Sequence, residues 1–153
     1  MRKTPAAPGS RTLRMWLLDV NVLLALAWPE HPHHQRAISW FVEHSQEGIR
    51  TCAITQLGFV RISSISATPG MAASIEEATE QLKQLELLEA HAFWNCPVTW
   101  TEVWRAHGPF RGHRQITEAY LVALAAAHHG RLVTFDRGLA LLPGAQGVVE
   151  VLA

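Results

Sequence analysis

The chain has 153 residues, of which 48% are hydrophobic and 17% charged, and its formal net charge is zero. This composition indicates one globular domain and excludes a polycation that binds nucleic acid through its overall charge. The two cysteines, Cys52 and Cys96, are too few and too isolated for a disulfide framework or a zinc site. No stretch is apolar enough to span a membrane. We therefore expect a cytoplasmic protein whose thiols stay reduced.

The first 14 residues differ in composition from the rest of the chain. They include four basic residues, two prolines and one glycine but no acid, which predicts a disordered extension over residues 1–14. An apolar stretch follows at residues 15–28, but Asp19 and Asn21 in its middle are not typical of a secretion signal. We therefore place the folded domain at residues 15–153.

Short apolar runs alternate with stretches of helical periodicity along this domain. The predicted strands cover residues 16–20, 50–54, 91–98, 131–135 and, at an edge, 148–152. The predicted helices cover residues 22–27, 74–88 and 116–129. A further helix is predicted after Pro32, with Ala37, Trp40 and Phe41 on one face, and another is predicted from Thr55 through Ile62, ended by residues 68–70. Residues 103–112 are predicted to be a loop or a broken helix. This alternation predicts an α/β fold: a central parallel sheet of four to five strands with helices on both faces.

Several helix ends have recognisable signals in the sequence. Ser74 followed by Glu77 fits a capping box. Thr55 and Thr117 are predicted to be N-caps of the helices that follow them. Gly130 is predicted to be the C′ residue that ends the most apolar helix.

Asp19 and Asp136 are the only aspartates in the chain, and each follows an apolar strand-like run. Glu118 lies near the start of the apolar helix. Strand carboxyl ends and helix N-termini share one edge of a parallel sheet, so the three carboxylates can meet there. Taken singly, each acid could instead cap a helix or start a turn. Together they would repel one another unless a cation neutralised them, and hard oxygen ligands favour Mg²⁺ or Mn²⁺.

Three segments built around these acids resemble the motifs of PIN-domain proteins. They are residues 17–24 (LLDVNVLL), 116–121 (ITEAYL) and 132–139 (LVTFDRGL), in the order and at the spacing of that family. Residues 51–61 (TCAITQLGFVR) resemble the VapC branch, the toxins of VapBC toxin–antitoxin pairs. The resemblance extends from about residue 15 to the end of the chain and implies a single PIN-like nuclease domain.

The resemblance implies a metal-dependent endoribonuclease, the toxin of a type II toxin–antitoxin pair. Asp19, Glu118 and Asp136 would be the catalytic and metal-binding residues, with Asn21 and Thr134 as polar groups near the metal. Gln56 would be a further polar group there, at a position where many family members have a glutamate. Its amide adds no charge, so whether one or two metal ions bind stays open. The implied partners are RNA, a cognate antitoxin and a second copy of the chain in a homodimer.

A basic stretch precedes Glu118. Residues 103–117 contain no acid, and their arginines, with Arg137, are candidate contacts for RNA phosphates. Trp104 and Phe110 lie among them and could stack on unpaired bases. The arginines of the stretch are Arg105, Arg111 and Arg114.

The tryptophans divide into two predicted groups. Trp16, Trp40 and Trp94 are expected in the core. Aromatic side chains are enriched at protein interfaces, and Trp28, Trp100 and Trp104 are the candidates for such contacts.

Two other functions are compatible with the sequence. An aspartate after a strand, as in Asp19-Val20-Asn21, is also found in haloacid-dehalogenase-type phosphatases, although these have a second aspartate where Asn21 stands. The second alternative is a non-catalytic PIN-like module that binds RNA or a partner. The histidines near Pro32 lack an evident fourth ligand, and we expect a surface or helix-entry role for them; they are His31, His33 and His34.

Overall fold

The computed structural model describes residues 14–65 and 72–153, so nearly all of the predicted N-terminal extension lies outside the described residues. The strands are β1 (Trp16–Leu18), β2 (Ile49–Cys52), β3 (His91–Trp94), β4 (Arg131–Thr134) and β5 (Val149–Val151). The helices are α1 (Val20–Ala27), α2 (His34–His44), α3 (Ala53–Ile65), α4 (Ile75–Glu86), α5 (Trp100–His107) and α6 (Arg114–Ala127). A 3₁₀ turn covers Leu139–Leu141. No helix in the described ranges is long and apolar enough to cross a membrane.

All five strands are parallel and form one sheet in the order β3-β2-β1-β4-β5, which confirms the predicted α/β class. The chain builds the sheet outward from β1 to β3, then crosses back and adds β4 on the other side of β1. The connections therefore diverge between β1 and β4. In open α/β sheets, a crevice for ligands opens at the strand carboxyl ends at such a point.

Hydrophobic side chains cover both faces of the sheet. In β1, Trp16 and Leu18 point to one face and Leu17 to the other, as the period of two requires. The first face packs against α1, α2, α3 and α4, and the second against α5 and α6. Helices thus lie on both faces, as predicted.

The capping boxes account for two of the helix starts. The predicted box of Ser74 and Glu77 is present at the start of α4. A second box, in which the Thr99 hydroxyl and the Glu102 carboxylate each accept from the other's backbone amide, starts α5. Residues 100–107 are therefore helical and the helix ends at Gly108, which confirms the second of the two predictions for residues 103–112, a broken helix.

Two predicted N-caps lie inside their helices. Thr55 is in the first turn of α3, where its hydroxyl accepts from the Cys52 amide at 3.0 Å. Thr117 lies in α6, which begins at Arg114 because Arg114 and Gln115 are good helix formers that extend the first turn. Glu118 is consequently one full turn into α6 rather than in its first turn.

The end of α6 also differs from the prediction. His129 has the positive φ, 55°, that was expected of Gly130. Gly130 is required for a close approach instead, since a Cβ there would lie 2.5 Å from the Trp94 ring and 2.9 Å from the Met15 carbonyl oxygen. A larger residue would therefore have to displace the Trp94 ring or the backbone at Met15.

The tryptophans partly follow the prediction. Trp16, Trp40 and Trp94 are buried in the core, as expected. Trp28 is not a free interface residue: its ring stacks on Phe59 at 6.1 Å, and its indole N–H donates to Ser63 at 3.0 Å.

Candidate active site

Asp19 lies between β1 and α1, where its carboxylate has two roles. As the N-cap of α1 it accepts from the Val20 amide at 2.7 Å, which confirms the capping interpretation. Its other oxygen accepts from the Thr134 hydroxyl at 2.7 Å and the Asn21 amide group at 3.2 Å. Burial raises the pKa of Asp19, and these hydrogen bonds partly offset that rise. The side chain is therefore fixed in one orientation at the carboxyl edge of the sheet.

Asn21 and Thr134 join the two central strands at this edge. The Asn21 amide nitrogen donates to the Thr134 hydroxyl at 3.0 Å, and its amide oxygen accepts from the Phe135 backbone at 3.1 Å. The Thr134 hydroxyl also accepts from the Asp136 backbone amide at 3.0 Å. This network sets the backbone at the end of β4, and thereby the position of Asp136 relative to Asp19.

Asp136 and Glu118 complete a group that we call the carboxylate cluster, together with Asp19. Asp136 starts a turn in which the Gly138 amide donates to its carboxylate at 2.7 Å. Burial and the negative charges of Asp136 and Asp19 raise the pKa of Glu118 to about 7. The charge of Asp136 also raises the pKa of Asp19. Asp136 therefore acts electrostatically on both of the other acids.

The carboxylate cluster fits a divalent ion in charge and donor type but is not closed around one. Carboxylate oxygens are the ligands that Mg²⁺ and Mn²⁺ prefer, and a cation would relieve the repulsion that raises the pKa of Glu118. Within residues 14–65 and 72–153, no three His, Cys, Asp or Glu side chains are grouped tightly enough to enclose an ion. Asp136 is the common member, since its charge acts on both Asp19 and Glu118.

Gln56 forms its hydrogen bonds away from the carboxylate cluster. Its amide nitrogen donates to Thr51 at 3.0 Å and to Glu86 at 2.7 Å. Thr51 is in turn bonded to His91 at 2.9 Å. The sequence interpretation placed Gln56 beside the metal; the structure instead connects it to α4 and β3.

The four predicted basic residues are exposed, and one of them lies on the same helix face as Glu118. Arg114 precedes Glu118 by four residues and so shares its face of α6. All four side chains are exposed, and none forms an ion pair within the described part of the chain. They are Arg105, Arg111, Arg114 and Arg137.

The sequence interpretation did not place Trp100 and Trp104 together on one helix. Trp100 and Trp104 are 43% and 52% exposed on α5, and both rings contact Phe110. The Thr99–Glu102 capping box was the signal that would have placed both tryptophans on one helix.

The histidines near Pro32 have surface and helix-entry roles, as expected. His34 begins α2 and is bonded to the Ala25 carbonyl at 2.7 Å. The exposed His33 ring stacks on Phe135 with centroids 4.5 Å apart.

Comparison with known proteins places this geometry in a family. Residues 16–144 match the PIN domain. The chain belongs to the PIN-domain family. It is 44% identical over 138 residues to ribonuclease VapC39 of Mycobacterium tuberculosis, covering 89% of this chain and 98% of that one. Ribonuclease VapC44 of the same species is 43% identical over 136 residues, covering 84% of this chain and 92% of that one.

Solved structures agree with this assignment at the level of the fold. VapBC2 from Rickettsia felis, bound to a DNA fragment from its promoter, superposes with a TM-score of 0.64 at 14% identity. The match covers 91% of this chain and 99% of that one. The resemblance to PIN-domain proteins and their VapC branch is therefore confirmed, and the family match gives no support to the phosphatase alternative.

Proposed function

We propose that this PIN-domain protein is an endoribonuclease of the VapC type that hydrolyses RNA phosphodiesters at the carboxylate cluster. The observation that carries the proposal is that Asp19 and Asp136 follow the neighbouring strands β1 and β4 at the point where the sheet connections diverge, and the Thr134 hydroxyl is hydrogen-bonded to both residues. No nucleophilic side chain is needed for such hydrolysis, because water can attack the phosphate. The relatives named ribonucleases are similar over nearly their whole length, which supports the same reaction class here.

The three acids of the carboxylate cluster would hold Mg²⁺ or Mn²⁺. When bound, such an ion supplies positive charge for the phosphate and makes a nearby water more acidic. Thr134 and Asn21 hold Asp19 in place through their hydrogen bonds and keep it from turning toward solvent. The number of ions stays open, because Gln56 adds no charge and bonds elsewhere.

The exposed arginines beside α6 would bind the RNA backbone. Arginine forms bidentate hydrogen bonds with phosphate, and Arg114 shares a helix face with Glu118. Arg137 follows Asp136 directly and is exposed. The RNA strand would therefore pass over the N-terminal end of α6.

Cleavage assays with matched variants test this function. We expect the purified chain to cut RNA with Mg²⁺ or Mn²⁺, and chelation, Asp19→Asn or Asp136→Asn to abolish the cutting. Glu43→Gln, at an exposed acid on α2, is the control and should cut normally. Full activity of either aspartate variant would refute the site assignment. If the wild type binds RNA without cutting it under any metal condition, the chain is a binding module.

A cognate antitoxin is the proposed protein partner. The helices on the face opposite α5 and α6 form an apolar groove of about 210 Å³, lined by residues that include Leu26, Phe41 and Leu85. The structural neighbour VapBC2 pairs a VapC protein with its VapB partner by name. An apolar helical segment of the antitoxin would fill this groove. Leu26→Asp and Leu85→Asp should prevent capture of the antitoxin without abolishing RNA cleavage, whereas loss of both would indicate misfolding.

The chain is also proposed to form a homodimer. Light scattering on the purified protein tests this directly. A monomer at tens of micromolar would contradict the dimer.

A further inference from the structure

Three aromatic side chains form an exposed cluster on α5 and the loop that follows it. Trp100 and Trp104 are 43% and 52% exposed. The centroid of the Phe110 ring lies 5.6 Å from each indole ring, tilted against Trp100 and edge to face with Trp104. Clustered apolar surface left in water is unfavourable and marks a binding site more often than isolated exposed residues do.

The cluster is preformed in the folded chain. Trp100 and Trp104 are four residues apart and share one face of α5, whose start is capped by Thr99. The loop backbone packs directly against the second indole, since a Cβ on Gly108 would lie 3.1 Å from a Trp104 ring carbon. Phe110 then completes the cluster from the loop. A ligand would therefore bind without first ordering these rings.

Charge around the rings favours a nucleic acid. Arg105, Arg111 and Arg114, which are close to the three aromatic residues in the sequence, are exposed. The one acid in the interval from residue 99 to 117 is Glu102, and its carboxylate accepts from the Thr99 amide at 2.6 Å and hydroxyl at 2.8 Å. Exposed rings among cations are the combination that binds single strands, because bases stack on rings while phosphates meet arginines.

The cluster lies next to the carboxylate cluster along the chain. The loop enters α6 at Arg114, and the Gln115 side chain accepts from the Arg111 backbone at 2.9 Å, which ties the loop to the helix. Glu118 is four residues into α6, about 6 Å along its axis. A strand whose phosphate reaches Glu118 therefore has neighbouring nucleotides within reach of the rings.

We propose that Trp100, Trp104 and Phe110 form a stacking platform for unpaired bases beside the phosphate that is cut. This inference rests on the proposed ribonuclease function and adds a base-binding subsite to it. Duplex RNA has no free base faces to offer the platform. The antitoxin groove lies on the opposite face of the sheet, so the two surfaces do not overlap.

Binding measurements in an inactive Asp136→Asn background test the platform. The probes are a short labelled single-stranded RNA, the same RNA annealed to its complement, and the same strand with abasic riboses. Combined Trp100→Ala and Trp104→Ala should lower affinity for the single strand by about tenfold or more, as loss of base stacking does. Affinity for the abasic strand and the duplex should stay unchanged.

Two controls separate stacking from folding. Combined Trp100→Phe and Trp104→Phe keeps aromatic rings and should restore most of the affinity. Phe93→Ala removes an equally exposed ring, 48% exposed, from β3 and should change nothing. An equal loss on the abasic strand, or no loss on the single strand, overturns the platform. So does a change from dimer to monomer with RNA affinity unaltered, because the rings would then be a protein interface.

RNA cleavage assays on the same variants, made in the active protein, distinguish the stacking-platform proposal from the ribonuclease proposal. If the wild type cuts single-stranded RNA and the double alanine variant cuts it equally well, the platform is wrong and the ribonuclease function stands. If the wild type cuts no RNA, the ribonuclease function fails, and the binding series alone decides whether the rings bind bases.

Discussion

Replacing Glu118 with glutamine should stabilise the metal-free protein, and the gain should depend on pH. The pKa of Glu118 is raised from 4.5 to about 7, so its ionised form is unfavourable in the folded state. Folding then loses stability as pH rises from about 4.5 to about 7, because the unfolded chain releases this proton and the folded chain keeps it. The amide of the Glu118→Gln variant would stay neutral throughout, like the protonated acid.

The size of the gain follows from this pKa change. A fully shielded group would contribute about 3 kcal/mol, but Glu118 is partly exposed and water screens it, so we expect about 1 kcal/mol. For a domain of this size that is an increase of roughly 2–4 °C in Tm. The increase should be present at pH 8 and should vanish near pH 4.5.

Thermal denaturation in the presence of a chelator, from pH 4.5 to pH 8, measures this effect. Comparing the variant with the wild type at each pH removes the contribution of the nine histidines. Added Mn²⁺ should reverse the order, stabilising the wild type more than Glu118→Gln. A pH-independent difference, or a variant that is less stable at pH 8 without metal, would show that burial and the charges of Asp136 and Asp19 do not raise the pKa of Glu118 in the folded chain.

Three further predictions concern the surroundings of the site. Combined Arg111→Ala and Arg114→Ala should weaken RNA binding and reduce its dependence on salt concentration, because fewer counterions are released. Arg36→Ala on α2 should change neither, and an unchanged salt dependence in the double variant would contradict RNA binding by these arginines. Gln56→Glu should lower the metal-free stability by about 1 kcal/mol, because a carboxylate replaces the amide donor that faces Glu86. Calorimetry should show unchanged Mn²⁺ affinity, and tighter Mn²⁺ binding would mean that residue 56 can turn toward the carboxylate cluster. Gly130→Ala should lower Tm more than the exposed Gly112→Ala, and equal effects would show that the packing against Trp94 is not tight.

The sequence predicted the class of the fold because its signals were local. Apolar runs of strand length, each followed by a helical period, specify parallel strands covered on both faces. The order of the strands was not predictable in this way, since it depends on which strand pairs with β1. That pairing is decided by packing between residues more than a hundred positions apart.

The site was predictable where it depends on strand ends and not where it depends on side-chain partners. Asp19 and Asp136 lie next to each other because β1 and β4 do. The orientation of Gln56 is set by its hydrogen bond to Glu86, 30 residues away, and a local sequence pattern cannot predict such a contact. The start of α5 at Trp100 was missed for a different reason: the Thr99–Glu102 capping box, a local signal that specifies a helix, was not used in the prediction.

The hydrogen bond from Thr134 to Asp19 joins residues 115 positions apart, and its position in the chain has a consequence for synthesis. A ribosome that has made β1, β2 and β3 has produced most of the protein but has not yet made β4 or Asp136. Chains that stop before this point contain Asp19 but not Thr134 or Asp136, so their carboxylate cluster is incomplete. On the proposed site, a chain that is still being made cannot cut RNA, because the carboxylate cluster is complete only when the last third of the chain folds against the first strand.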